Sequence, residues 1–387
     1  MIRRTRVEID LQAIVGNAAA VRAVTGSELY AVVKADAYGH GAVAVATALA
    51  QAKAASGLCV SLVEEGVALR DAGVALPILV MGPSQVGGED DMVAAKLTPV
   101  ISSDEDLEAL VDVAKRRSVA VEAHLKIDTG MGRLGVPVER AGELAVVAGR
   151  NGIRIVGLMT HFANADTDEA ADAASLTRTQ LARFGEVDRA VTAAGAPIRV
   201  RHAANSSGAL VFPEARFDLV RCGIALYGNG RWAHPGERDL ASSAARDPKN
   251  HVEPAMRLVT AIAQLRRVPI GASVGYGATW RAARDSTIAV LPCGYADGLP
   301  RRASGHAQVG IRGKRVPLVG LISMDIALAD VTDVVDVTVG DAAVLLGRAS
   351  GGASITAAEY GGWAGLSEYE VTCGMSKRVP RTYVEAR

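Results

Sequence analysis

Ala31-Val32-Val33-Lys34-Ala35-Asp36-Ala37-Tyr38-Gly39-His40-Gly41 opens on an apolar, β-branched run and closes on two glycines that flank a histidine. Residues 29–33 read as a buried strand, and a lysine stands where that strand ends. From there to about residue 225, short β-branched runs alternate with longer Ala-rich segments, the pattern of βα units around a parallel sheet. Strands are expected at 29–33, 58–62, 77–81, 98–101, 119–127, 153–160, 198–202 and 217–221. Helices such as 103–116 and 168–194 fall between them, and a further helix at 11–24 precedes the first. Eight βα units in about 200 residues match a (β/α)8 TIM barrel, whereas an open doubly wound sheet usually has five or six parallel strands.

After residue 228 the texture changes. Residues 229–251 carry Gly, Pro, Asn and alternating charges with no apolar period, and read as a linker or surface insertion. Shorter strands at 258–267, 287–292, 315–319, 326–331 and 343–346, with one short helix near 355–360, suggest a mainly β domain. The expected fold class is therefore α/β, with a TIM barrel over 1–235 followed by a mainly β domain over 236–387. The length of 387 residues, beyond what one core usually organises, agrees. Lys plus Arg and Asp plus Glu both number 42, so no basic field gathers nucleic acid or anionic lipid, and small ligands or protein partners are expected. Four scattered cysteines without a C-x-x-C spacing fit neither a disulfide framework nor a zinc site, and point to a reducing cytoplasm. The basic start, residues 1–6, runs into Val7-Glu8-Ile9-Asp10 rather than an apolar segment, and no 18-residue apolar run occurs. Neither a standard secretory signal nor a membrane span is expected.

A TIM barrel builds its active site at the C-terminal ends of the strands, so polar residues there are read first. At such a position Lys34 is disfavoured as a cation, which frees its amine as nucleophile or base; the alternative is a side chain that reaches solvent at the rim. The fifth strand ends Lys126-Ile127-Asp128-Thr129-Gly130-Met131-Gly132-Arg133. Lys126 and Asp128 form either an ion pair bracing the barrel or part of the catalytic set, and the glycines aim Arg133. His161, after the sixth strand, is an acid/base group, a ring-stacking group or a structural histidine. Asn205-Ser206 and Arg221-Cys222-Gly223-Ile224 follow strands seven and eight, where helix N-termini and free amides favour a phosphate; the plainer reading of Asn205-Ser206 is an N-cap. No Walker or Rossmann glycine pattern accompanies them. A nucleophilic lysine, a small phosphate cradle and no metal-ligand cluster together suggest pyridoxal 5′-phosphate (PLP), held as a Schiff base.

These motifs, with His161-Phe162, 217–228, 274–279, 294–298 and Ser323-Met324-Asp325, resemble in order those of the alanine racemases, fold-type III PLP enzymes, from Val7 to Tyr383. The resemblance implies that Lys34 holds PLP. It implies that Tyr38, Ser206, Gly223, Ile224 and Tyr369 bind the cofactor phosphate, with Asn205 beside them, and that Arg221 faces the pyridine nitrogen. Such an arginine gives that nitrogen no stable proton, so the ring is a restrained electron sink. Arg133 is implied to bond the phenolic oxygen and help place the substrate carboxylate, His161 to lie by the ring and bond Arg221, and Lys126 to be carbamylated and brace Arg133.

Racemisation needs acid/base groups on both faces of Cα. Lys34 supplies one, and the resemblance implies Tyr276 of the partner subunit as the other. Without it, Tyr276 reads as a surface turn tyrosine. Met324, whose backbone amide binds the substrate carboxylate, Asp325 next to it, and Tyr295 and Arg301 at the channel mouth are implied to come from the partner too, in a head-to-tail homodimer. The implied activity is interconversion of L- and D-alanine, supplying D-alanine for peptidoglycan. The alternative is a related racemase acting on serine or another small amino acid. Arg221 argues against a decarboxylase, and the second domain against a PLP-carrier protein. Gly275, Cys222, Ile326, Leu321 and Lys377 depart from the usual Ser, Pro, Gln, Arg and Tyr, and bear on channel electrostatics and substrate breadth.

Overall fold

The computed structural model describes residues 3–83, 88–167, 172, 174–230 and 252–384. Most of the expected insertion at 229–251, the expected domain limit at 235 and the first residues of the expected helix 168–194 lie outside them. The described residues within 14–37 and 42–253 form one compact unit; those within 1–13, 38–41 and 254–384 form a second.

The chain opens with β1 (Arg6–Asp10) and α1 (Leu11–Thr25). The barrel strands follow: β2 (Glu28–Val32), β3 (Gly57–Val60), β4 (Ile78–Val80), β5 (Thr98–Ile101), β6 (Val121–Asp128), the short β7 (Val136–Pro137), β8 (Ile153–Met159), β9 (Val200–His202) and β10 (Leu219–Cys222). Eight of them pair in parallel in the order β10-β2-β3-β4-β5-β6-β8-β9, while β7 pairs with β6. Asp218 N–H to Arg201 O (3.1 Å) and Arg221 N–H to Ala204 O (2.9 Å) link the two ends, nearly closing the barrel. All eight expected strands are present. β3 and β4 are buried along their whole length, because helices cover one face and the barrel interior the other.

The outer helices include α3 (Ala42–Gln51), α4 (Val63–Asp71), α5 (Glu89–Ala94), α6 (Asp104–Arg117), α7 (Ala141–Arg150) and α8 (Leu176–Ala193). α6 shows why its sequence is helical. The Ser103 hydroxyl caps Asp106 N–H, acids fill the first turn and bases the last, and Ser118 ends the helix in the left-handed region. Its Leu107, Leu110 and Val111 pack with Leu144 of α7, Phe184 and Val187 of α8, and Leu125 and Ile155 of the strands. α8 starts at Leu176, later than expected, because the Ser175 hydroxyl caps Arg178 N–H.

The second unit is mainly β. β11 (Met256–Ala261), β16 (Gln308–Ile311), β17 (Lys314–Pro317), β19 (Ala342–Arg348) and β21 (Arg381–Val384) form with β1 the order β17-β16-β19-β11-β1-β21, and the short β20 (Ser354–Ile355) pairs with β19. β12 (Gln264–Val268), β15 (Ser286–Leu291) and β18 (Ala327–Asp330) make a second sheet, and β13 (Ser273–Val274) pairs with β14 (Trp280–Arg281). The single strand expected at 258–267 is two. Ile262 N–H donates to Asp341 O and Ala263 N–H to Val290 O, so the chain changes sheets there. Within β1, the buried Glu8 carboxylate is neutralised by Arg6 and by Arg257 at 2.9 Å.

Candidate active site

Lys34 opens the six-residue helical turn α2 (Lys34–Gly39), two residues past the end of β2. That offset leaves it partly exposed rather than buried as the sequence suggested. The next four residues have left-handed backbones, with φ of 52° at Ala35, 55° at Asp36, 54° at Ala37 and 54° at Tyr38. Each L-residue so held costs roughly 1–2 kcal/mol, a concentration of strain typical of a functional segment. Specific bonds hold it: Ala37 N–H to Val33 O (2.9 Å), Ala35 N–H to the Glu65 carboxylate (2.6 Å) and Ala42 N–H to the Asp36 carboxylate (2.8 Å). Gly39, with φ of 81°, lies so close to Thr372 O that an added Cβ would sit 2.1 Å away. In the second unit, the buried ring of Tyr38 lies 5.9 Å from that of Tyr369.

The expected pyridine-facing residue, Arg221 at the end of β10, is 2% exposed. Its Nη1 donates to His202 O (3.0 Å) and meets His202 Nδ1 (2.8 Å); its Nη2 donates to Thr160 O (2.7 Å) and Ala203 O (3.1 Å) and meets His161 Nδ1 (3.3 Å). Among the described residues no carboxylate faces it, and its buried Nε–H has no acceptor. A guanidinium only donates, so both Nδ1 atoms must accept. His202 then carries its proton on Nε2 and donates to His124 Nδ1 at 2.8 Å. Burial first, and Arg221 second, hold these imidazoles neutral: His124 is pushed down to about 4, and His161 and His202 also lie well below the usual histidine value. Burial lowers Arg221 to about 10, still a cation at neutral pH.

Lys126 on β6 is buried, and its ammonium is lowered to about 8, by burial and then by Arg133 and Arg221. No Lys126–Asp128 ion pair forms among the described residues. Instead, Asp128 Oδ1 accepts the N–H groups of Gly130 (2.9 Å), Met131 (2.9 Å) and Gly132 (3.1 Å), shaping the loop before Arg133. Burial works against the Asp128 anion, but these amides outweigh it and lower its pKa. After β9, the Asn205 side chain accepts Gly208 N–H at the start of α9 (Ser206–Val211), so the N-cap reading holds. The Ser206 hydroxyl accepts Gly223 N–H (3.1 Å) and Ala225 N–H (3.3 Å), joining the two loops expected to cradle a phosphate.

Tyr276, 72% exposed, lies in a turn framed by Gly275 and Gly277 with φ of 76° and 69°. Met324, Tyr295 and Arg301 of the same unit are also exposed. The sequence reading missed His124, His202 and Gln180. Gln180 donates to Thr129 and His161 O and accepts Ala163 N–H, pinning the segment that carries His161. Two histidines inside apolar strand runs were the available signal, since a buried imidazole requires partners.

Residues 9–230 match the family model described as alanine racemase, N-terminal domain, and 255–383 that of the C-terminal domain. The chain is 40% identical to an alanine racemase of Sorangium cellulosum over 99% of this chain and all of that one. Among solved structures, alanine racemase from D-cycloserine-producing Streptomyces lavendulae is 33% identical, with a TM-score of 0.89 over 100% of this chain and 98% of that one. The Bartonella henselae alanine racemase with covalently bound pyridoxal phosphate is 28% identical, with a TM-score of 0.83 over 98% and 99%.

Proposed function

The chain belongs to the alanine racemase family, as an isomerase of L- and D-alanine, and from that premise we propose that it works on PLP held by Lys34, with Lys34 and Tyr276 of the partner subunit as its two bases. The full-length likeness to alanine racemases does not favour the serine alternative. One observation carries the cofactor: the Arg221 Nε–H, buried and without an acceptor, in a guanidinium whose other contacts are all satisfied. An unprotonated pyridine nitrogen is the acceptor that such a donor requires, and the residues present fit PLP in this respect.

When bound, PLP would supply the electron sink that acidifies the α-proton of the amino acid. Arg221 would keep its own proton at Nε, because a guanidinium, even when burial lowers it to about 10, is a far weaker acid than a pyridinium. Ser206, Gly223 and Ile224, with Asn205 capping α9, would hold the cofactor phosphate, as would Tyr38 and Tyr369. Arg133 would hold the phenolic oxygen, and the Met324 N–H the substrate carboxylate. Lys34 Nζ, released from the cofactor when the substrate amine takes its place, would work on one face of Cα and Tyr276 Oη on the other; one would take the proton and the other return it. The exposure of Tyr276 and Met324 supports their presentation to a second copy of the chain, with Asp325, Tyr295 and Arg301 alongside. At a pKa of about 8, Lys126 holds enough free amine to add CO2, and the carbamate replaces a cation beside Arg133 with an anion that braces it. Cys59, Cys222 and Cys293 are buried and form no disulfide among the described residues, in keeping with a reducing cytoplasm, where the racemase would supply D-alanine for peptidoglycan.

Subunit mixing tests the shared site. Lys34→Ala and Tyr276→Phe chains, each inactive alone, regain about one quarter of wild-type activity after dissociation and reassociation in equal amounts, since half the dimers carry one intact site of two. No recovery despite demonstrated exchange contradicts the contribution in trans.

A further inference from the structure

Asp297, in the second unit, is a fully buried carboxylate with no part in the chemistry so far. It accepts five hydrogen bonds: from Arg378 Nε (2.7 Å) and Nη2 (3.0 Å), from Arg3 Nη1 (3.0 Å) and Nη2 (2.7 Å), and from Gly294 N–H (3.0 Å). Burying a carboxylate is costly unless it is so paired. Arg378 Nη2 also donates to Asp325 (2.8 Å), which balances two guanidiniums with two carboxylates.

The cluster anchors a loop. Asp297 ends the 3-10 turn Tyr295–Asp297, and that turn is zipped to residues 323–326 by Tyr295 N–H to Ser323 O (3.0 Å) and Ala296 N–H to Met324 O (3.0 Å). Gly294 packs so tightly there that a Cβ would lie 2.3 Å from Ser323 O and 2.4 Å from Met324 O. The loop closes on itself through Ser323 N–H to Ile326 O (3.0 Å) and Ile326 N–H to the Ser323 hydroxyl (3.1 Å). The Met324 carbonyl is thus fixed from one side and the Asp325 side chain from the other. The Met324 N–H itself donates to no acceptor among the described residues, and the residue is 52% exposed.

We propose that Asp297 and Arg378 are positioning residues that orient the Met324 backbone N–H toward a small carboxylate, the carboxylate of the amino-acid substrate. The inference rests on the reading above in which that amide binds the substrate. Neither residue touches substrate; both act through the loop.

The test uses the PLP-loaded enzyme with its eight methionines labelled with 15N, the Met324 amide signal being identified by its loss in Met324→Leu. Propionate, which is alanine without its amine, is titrated in. In wild type the Met324 signal moves to saturation. In Arg378→Met the same movement needs about tenfold more propionate, and KM for alanine rises about tenfold with kcat little changed, as for binding shared by ground and transition states. Arg378→Lys recovers part of the loss. The exposed-side variant Asp325→Asn, which leaves Asp297 paired, shows the same split at about threefold and keeps the test open should Arg378→Met not fold. Wild-type propionate affinity and KM in folded Arg378→Met and Asp325→Asn overturn the inference. A Met324 signal that ignores propionate in wild type, while propionate still inhibits, overturns the reading beneath it.

Discussion

Replacing Gly157 with alanine should break the buried histidine chain behind Arg221. Gly157 on β8 stands opposite His124 on β6, just past a register shift after Ala123. A Cβ there would lie 2.4 Å from His124 Cγ, 2.5 Å from Cδ2 and 2.6 Å from Nδ1, closer than real Cβ contacts come, so the ring must move. A shift of about 1 Å takes the 2.8 Å contact to His202 out of hydrogen-bonding range. Overpacking costs about 1–3 kcal/mol, and a buried His202 Nε2–H left without an acceptor adds about 1–2 kcal/mol. We expect a loss on the order of 3 kcal/mol. Because the chain folds as two units, the assay is native-state hydrogen exchange on β6 and β8 rather than a single unfolding midpoint. In a His124→Ala background the same substitution should cost under about 1 kcal/mol, a coupling of about 2 kcal/mol. An equal cost with and without the ring would refute the steric reasoning.

With Tyr276→Phe, exchange of the α-proton of L-alanine should fall by at least about 100-fold, and that of D-alanine much less; equal losses would count against Tyr276 as the base on the L face. His124 titrates near 4 when folded and near 6.5 when unfolded, so the unfolded chain takes up the proton first as the pH falls. Its contribution is complete above about pH 6.5 and stability drops by about 1.4 kcal/mol per pH unit from there to about pH 4, with His161 and His202 acting in the same sense. Native-state hydrogen exchange on β6 and β8, followed against pH, should show a shallower acid slope in His124→Asn, and identical slopes would contradict a neutral buried ring. At pH 8 in 13C-bicarbonate, NMR should detect a carbamate signal that is absent in Lys126→Arg; its absence from the wild type as well would remove the proposed anion.

The barrel was legible because eight apolar runs recur at βα spacing, and periodicity reports burial directly. Strand ends then singled out Lys34, Lys126, His161 and Arg221. What stayed hidden depends on neighbours distant in sequence. The split between β11 and β12 is set by Asp341 and Val290, which take successive amides into different sheets. β1 is a short run with a buried glutamate, and only its arginine partners make that burial tolerable. The left-handed turn after Lys34 defeats propensity altogether, since alanines and an aspartate adopt it only because Glu65, Asp36 and Val33 hold it there. Gly157 looked like any strand glycine until the His124 ring filled its place. Tyr276 carried no local signal, and the role proposed for it rests on resemblance alone.

The central claim, a two-base racemisation of alanine, is tested most directly by incubating the PLP-loaded protein with pure L-alanine in D2O while following optical rotation and deuterium at Cα. The account predicts that rotation decays to zero as deuterium enters Cα. Unchanged rotation and an unexchanged α-hydrogen with PLP still bound would contradict it.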